Sequence, residues 1–378
     1  MRVAIVTESF LPHINGVTNS VLRVLEYLEA NGHEALVIAP ESEGGVKEYR
    51  GFKVKRLPAL PIQSLIPVGM PFGLPTKRLE YLLDGFAPDV VHLASPLILG
   101  AYAARVCKKL EIPTVSIYQT DIAGFAKHYG LSAAHSSLRK LVGKIHSSTN
   151  RTLAPSSSAV NELIQLGVNS VHLWRRGVNS ILFHPTARSE ARRSTWGAPE
   201  KLVVGYVGRL ANEKRLHDLK ILDSQSNIQL VIVGEGPARE KLENLLPRAI
   251  FTGFQSGANL AEHYASFDLF IHPGPNETFC QAVQEALASG VPCIVPISGG
   301  PADLVTHNQT GYVVDTSNSG QLLAIVKGFQ SRTDIQKMKV NARNSVEIRT
   351  WAYINEQLVQ HYAEAISEVK ATLKGSAA

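Results

Sequence analysis

Cysteine is scarce. Cys107, Cys280 and Cys293 are the only three in 378 residues, too few and too far apart for a disulfide framework or a cysteine-rich zinc site. A reducing, cytoplasmic setting is the resulting expectation. Long apolar runs are also missing. The least polar stretch, residues 90–104, is interrupted by His92, Ser95, Pro96 and Gly100 and stops at Arg105, short of the ~18 apolar residues a spanning helix needs. The chain opens with one arginine, a short β-branched run and Glu8, which is not the pattern of a secretory leader. The first strand-to-helix turn, residues 7–17, lacks the G-x-G-x-x-G spacing that brings a nicotinamide or flavin fold against a pyrophosphate. What is present is 44% hydrophobic and 19% charged residues, an ordinary globular composition with length for two domains at ~150 residues each.

The formal charge of +6 is unevenly spread. Residues 1–180 hold 19 Lys and Arg against 13 Asp and Glu, whereas the rest holds 19 of each. Lys53, Lys55, Arg56, Lys127, Arg139, Lys140, Lys144 and Arg151 carry part of the excess. This is either a solvated surface or a basic face for anionic lipid headgroups or an acidic acceptor. No nucleic-acid-binding module accompanies the charge.

Short β-branched runs alternate with helical-period segments, which predicts parallel sheets covered by helices. Strands are expected at 2–7, 35–39, 53–57, 90–94, 114–118, 151–154 and 171–174, and again at 202–208, 230–233, 250–252, 269–272 and 293–296. Residues 175–185, with Gly177 and Pro185, read as a linker. The expectation is two doubly wound α/β domains, residues 1–180 and 186–350. A final helix, 351–373, carries Ile354, Leu358, Tyr362, Ile366 and Val369 at helical spacing and is expected to pack back on the first domain. Ligands of such sheets collect beyond the carboxyl ends of the strands, so the two domains would face a cleft.

Three places there carry chemistry. Asn15-Gly16-Val17 opens the first helix, where free amides and the helix dipole favour an anion, and Gly16 would allow close approach. Arg209 and Lys214 follow the first strand of the second half and together could clamp a diphosphate. The densest constellation runs from His272 through Pro273, Gly274, Pro275, Asn276, Glu277, Thr278, Phe279 and Cys280 to Gln281. A helix starting there would offer the amides of Thr278, Phe279 and Cys280, with Glu285 about two turns inside it.

Taken together, Asn15-Gly16-Val17, Arg209 with Lys214, Glu277-x7-Glu285, Gly290-Val291-Pro292 and Gly299-Gly300 resemble family 4 of the retaining glycosyltransferases across essentially the whole chain. The resemblance implies the GT-B architecture, two Rossmann-like domains with an acceptor-binding N-terminal half and a nucleotide-sugar-binding C-terminal half. It implies that Arg209 and Lys214 hold the donor diphosphate and that Glu277 meets the transferred sugar. Thr278, Phe279 and Cys280 would offer amides, Glu285 would take the ribose, and Gly16 and Val17 would near the phosphates. Ser95-Pro96 and Tyr118-Gln119-Thr120-Asp121 are most similar to mannosyltransferases that build glycolipids and lipoglycans from GDP-mannose. Many relatives place a histidine where this chain has Gln119 and Asp121, so Asp121 stands as a candidate catalytic residue in its place.

The expected reaction is a front-side displacement in which the leaving diphosphate takes the acceptor proton, with protein cations supplying the opposing charge. No D-x-D-like pair stands at a strand end, so neither a metal nor another cofactor is expected beyond the GDP-mannose substrate. The expected partners are that donor, a glycolipid acceptor and an anionic membrane touched peripherally at its cytoplasmic face. The apolar, proline-rich stretch 58–75 is a candidate for lipid contact. Two other readings share the architecture: a nucleotide-sugar epimerase, which needs no acceptor, and a non-catalytic nucleotide-sugar-binding protein.

Overall fold

The computed structural model describes residues 1–60, 72–120, 135–197 and 200–376. The chain divides into two compact units, one formed by Met1–Arg175 with Trp351–Ala378 and the other by Arg176–Thr350.

The first unit contains β1 (Arg2–Thr7), β2 (Glu34–Pro40), β3 (Glu48–Tyr49), β4 (Phe52–Leu57), β5 (Ala59–Leu60), β6 (Phe72–Gly73), β7 (Val90–Ala94), β8 (Thr114–Ile117), β9 (Arg151–Ala154) and β10 (Val171–Leu173). Eight of them form one sheet in the order β10-β9-β8-β7-β1-β2-β4-β3, while β5 and β6 pair separately. All ladders in the large sheet are parallel except β3 with β4. The central strand β1 is Val-Ala-Ile-Val because it is covered on both faces, which parallel sheets require. On one face Val21, Val24, Leu25 and Leu28 of the helix Gly16–Ala30 pack against Val3 and Ile5; on the other, Leu79, Leu83, Leu99 and Ala103 pack against Ala4 and Val6. Each of the valine, leucine and isoleucine side chains, once fully buried, contributes roughly 1.5–3 kcal/mol.

The helix Trp351–Ser376 completes this unit. Ile354, Leu358, Tyr362 and Ala365 are buried in the same core as Val3 and Ile5. Polar contacts fix its register: Trp174 Nε1 donates to Ile354 O at 2.8 Å, Asn355 Nδ2 to Arg23 O at 2.9 Å, and His92 Nδ1 lies 2.6 Å from the Tyr362 hydroxyl.

The second unit is built on β11 (Leu202–Val207), β12 (Ile228–Val233), β13 (Ile250–Gly253), β14 (Leu269–Ile271), β15 (Cys293–Pro296) and β16 (Gly311–Val314). They are all parallel, in the order β13-β12-β11-β14-β15-β16. That is the doubly wound order, in which the direction of winding reverses beside β11. β16 was not expected from the sequence. Residues 176–185, expected as a linker, belong to this unit and are tied into it. Val178 N donates to Arg349 O at 2.9 Å, and Arg343 Nη1 donates to the carbonyls of Ser180, Phe183 and Ala288. The division therefore falls between Arg175 and Arg176 rather than within residues 180–186. Among the described residues no helix is long and apolar enough to cross a membrane.

Candidate active site

The point where the winding reverses in the second unit lies between β11 and β14, so loops leaving their carboxyl ends flank one crevice. β11 leads through Gly208 into Arg209, which is exposed, and then into a short 3-10 turn, Asn212–Lys214. β14 leads into His272 and Gly274. The two loops touch: a Cβ on Gly274 would come 3.0 Å from Lys214 Cα and from Glu213 O. Glycine is what lets Lys214 reach across. Its Nζ donates to Glu277 Oε1 at 2.5 Å, with the side chains only 18% and 26% exposed.

The electrostatics of this pair are mutual. Burial opposes charge on Lys214, but Glu277 with Cys280 and Glu213 more than restores it, and the amine stays above its ordinary pKa. Burial likewise pushes the Glu277 carboxyl up, and Lys214 and His272 outweigh it, leaving the carboxyl below its usual range. His272 Nε2 stands 3.7 Å from the same Oε1. Burial pulls the imidazole down to about 4, so it is neutral near pH 7. The His272 ring stacks on Tyr206 at 6.0 Å and 17°, and the Tyr206 hydroxyl donates to Arg209 O at 3.1 Å. The structure thus brings Lys214, Glu277 and His272 together, and Tyr206 ties the Arg209 loop to them. His272 and Tyr206 received no role from the sequence, although His272 closes the β14 run that the sequence did reveal.

The following helix starts later than expected. It spans Gln281–Ala288, with Cys280 as its N-cap at φ 91° and ψ 83°. Thr278, Phe279 and Cys280 therefore lie in the loop before the helix and are not its first turn. A left-handed conformation at a residue other than glycine costs on the order of 1–3 kcal/mol. The loop is held from behind: Gly300 N donates to Glu277 O at 2.7 Å, and a Cβ on Gly300 would lie 2.3 Å from Thr278 O. Glu285 is the fifth residue of this helix, just over one turn in rather than two. Its Oε2 accepts from the buried Tyr264 hydroxyl at 3.0 Å, and burial pushes its carboxyl up to about 7 against that bond and one from Gln281.

In the first unit, Gly16 opens the helix Gly16–Ala30, but the Asn15 side chain caps it, Oδ1 accepting from Val17 N and Thr18 N at 3.0 Å each. The Val17 amide expected to meet a phosphate is thus already bonded within its own turn. Asp121 lies outside the described residues. Sequence reasoning passed over Glu8, which follows β1 directly. It is 9% exposed, and its Oε1 accepts from Leu97 N and Gly100 N at 3.0 Å. Burial pushes its carboxyl up to about 7 despite those bonds. An acidic residue at the carboxyl end of a central strand was the available signal.

His272, Glu277 and Cys280 offer ligand atoms within 4.8 Å of one another, the one such group among the described residues. A separate cavity of about 390 Å³ lies among Arg188, Phe267, Gly290, Lys339 and Arg343 and includes none of the expected site residues.

Residues 14–180 match the model of Glycosyltransferase Family 4, and residues 188–344 that of Glycosyl transferases group 1. A GDP-mannose-dependent alpha-mannosyltransferase of Corynebacterium glutamicum is 46% identical over 372 residues, covering 97% of this chain and 90% of that protein. The chain belongs to the family 4 glycosyltransferases. A second GDP-mannose-dependent alpha-mannosyltransferase, from Mycolicibacterium smegmatis, is 46% identical over 96% of the chain and 97% of its own length. The sulfoquinovosyl transferase SQD2 of Arabidopsis thaliana is 31% identical over 85% of the chain and 64% of its own length. Among solved structures, Anabaena HepE in complex with UDP superposes with a TM-score of 0.77 at 20% identity, over 96% of this chain and all of that one. This family 4 enzyme therefore has the GT-B fold that its sequence led us to expect, and it is a glycosyltransferase.

Proposed function

We propose that this glycosyltransferase moves mannose from GDP-mannose onto a glycolipid acceptor, retaining the anomeric configuration. The second unit takes the nucleotide sugar and the first takes the acceptor. The observation that carries the reading is the Lys214–Glu277 pair, 2.5 Å apart where the winding of the second sheet reverses. An ammonium held charged in a largely buried setting is suited to a departing diphosphate, because the stabilising charge is fixed before the bond breaks and little solvent must reorganise. Arg209, exposed on the loop leaving β11, adds a second donor for the diphosphate. Glu277 orients Lys214 and accepts from a hydroxyl of the transferred sugar, the Thr278 to Cys280 loop supplies amides, and Glu285 accepts from the ribose. With these cations opposing the leaving charge, the displacement proceeds without a metal or other cofactor. Mannose and guanosine are assigned by similarity to the two 46%-identical relatives.

The acceptor is read as a lipid because residues 1–180 carry the basic excess. On the helix His135–Ser147, Lys140 and Lys144 are exposed beside Leu141, which is 42% exposed. Each cation near an anionic bilayer contributes about 1 kcal/mol, so peripheral contact with an anionic membrane is part of the proposal. The test is incubation with GDP-mannose, with and without a glycolipid fraction, alongside UDP- and ADP-sugars. Acceptor-dependent GDP release and an α-configured product are expected. Release of GDP only in the absence of transfer, or preference for another nucleotide, would overturn the donor and acceptor assignments.

A further inference from the structure

Two side chains at the candidate site have chemistry that sugar transfer leaves unused. The His272 ring nitrogens are buried without a well-formed hydrogen bond, and Cys280 is buried, with 7% of the residue exposed. Cys280 holds a left-handed backbone at φ 91°, where glycine would be unstrained. Strain kept at such a position points to a use for the side chain. With a Glu277 carboxylate oxygen, the imidazole nitrogen and the sulfur lie within 4.8 Å of one another.

We propose that His272, Glu277 and Cys280 form an inhibitory site for Zn2+. One nitrogen, one sulfur and one oxygen suit a borderline-soft divalent ion and not magnesium or calcium, which prefer oxygen alone. Zinc bonds of ~2.0–2.3 Å place neighbouring ligands roughly 3.3–3.8 Å apart, so side-chain shifts of about 1 Å close the site, with water as the fourth ligand. On binding, the Cys280 S–H bond breaks, the sulfur keeps the electron pair and bonds to the ion, and the proton passes to solvent; nothing is oxidised or reduced. The charged groups around the ligands are Lys214, which bonds Glu277, and Glu285, which acts on Cys280, with Glu213 near Lys214. A dication repels the ammonium, so zinc and the Lys214–Glu277 bond exclude each other. Loss of sugar transfer then follows, and this part rests on the donor role proposed for Lys214 and Glu277.

The test uses the full-length chain without an affinity tag. Co2+ serves as a spectroscopic probe for thiolate ligation, and Zn2+ binding is measured by titration calorimetry. Cys280→Gly is the decisive variant, since glycine suits the observed backbone; Cys107→Ser controls for a thiol in the first unit. The parent and Cys107→Ser should show thiolate-to-cobalt absorption, and Cys280→Gly should lose it and bind Zn2+ roughly tenfold or more weakly. Absence of the band in the parent, or its survival in Cys280→Gly, overturns the proposal. Saturating GDP-mannose should bleach the band. A Cys280-dependent band that GDP-mannose leaves unchanged upholds the metal site and overturns the donor assignment of Lys214 and Glu277.

Discussion

Replacing Lys214 by alanine separates the catalytic role proposed for its ammonium from its effect on the fold. The first is on turnover: removing one preorganised group that opposes developing negative charge costs about 10²–10³ in kcat, or ~2.7–4 kcal/mol. The second is on the fold. With 18% and 26% side-chain exposure the pair is largely desolvated, and stripping one partner from a buried pair costs up to ~3–5 kcal/mol. Glu277 can escape part of that by taking a proton. In the parent its pKa lies below the carboxyl value of 4.5, so its contribution is fully present above pH 4.5 and fades only as pH falls below that. Without Lys214, burial dominates and the carboxyl is pushed upward instead. The variant's stability should then decline as pH rises from 5 to 8, while the contribution of this pair in the parent stays flat. GDP release from GDP-mannose at saturating acceptor, paired with thermal melts at both pH values, reads out each effect. A folded Lys214→Ala enzyme turning over near the parental rate would refute the charge-stabilising role. An unchanged pH profile would refute the electrostatic account of the pair.

Three other outcomes are expected. Glu8 holds its proton up to about pH 7 when folded, against 4.5 ordinarily, so its stabilising effect is present below pH 4.5 and lost as pH rises through 7, by about 3 kcal/mol. Chemical denaturation of Glu8→Gln should show that slope flattened. At Cys280 the usual order of alanine over glycine should reverse in thermal melts: glycine relieves about 1–3 kcal/mol of strain, more than the ~0.8 kcal/mol for one further buried carbon. A Cys280→Gly chain melting well below Cys280→Ala would show that the backbone is not strained. Gly300→Ala pushes a methyl 2.3 Å from Thr278 O and should shift the loop that carries Glu277, raising KM for GDP-mannose about tenfold with a smaller change in kcat. Steady-state kinetics with both substrates varied will check this.

How much could be read beforehand follows from the range of each interaction. Strands β1, β7, β9 and β15 have the bounds expected, because buried parallel strands leave continuous β-branched runs such as Val3-Ala4-Ile5-Val6. The four residues of β16 follow a turn at Asn308 and are too short for a period to show. Lys214 and Glu277 were each singled out, but their contact spans 63 positions; only the strand order brings the two loops together. The start of the Gln281 helix was misplaced because nothing in a cysteine announces a left-handed residue. Glu8 escaped notice because its burial depends on the amides of Leu97 and Gly100, about ninety positions away.

The return of the helix Trp351–Ser376 to the first unit bears on how the chain is made. Arg176–Thr350 is contiguous, so it can close its core while still emerging from the ribosome. The first unit cannot, since Leu358 and Tyr362 of its core are synthesised after the whole of the second unit, and its sheet stays partly bare until they arrive. The second unit is thus ready first, and a nascent chain cut short near Thr350 would expose the apolar face of the first, a natural target for chaperones or proteolysis.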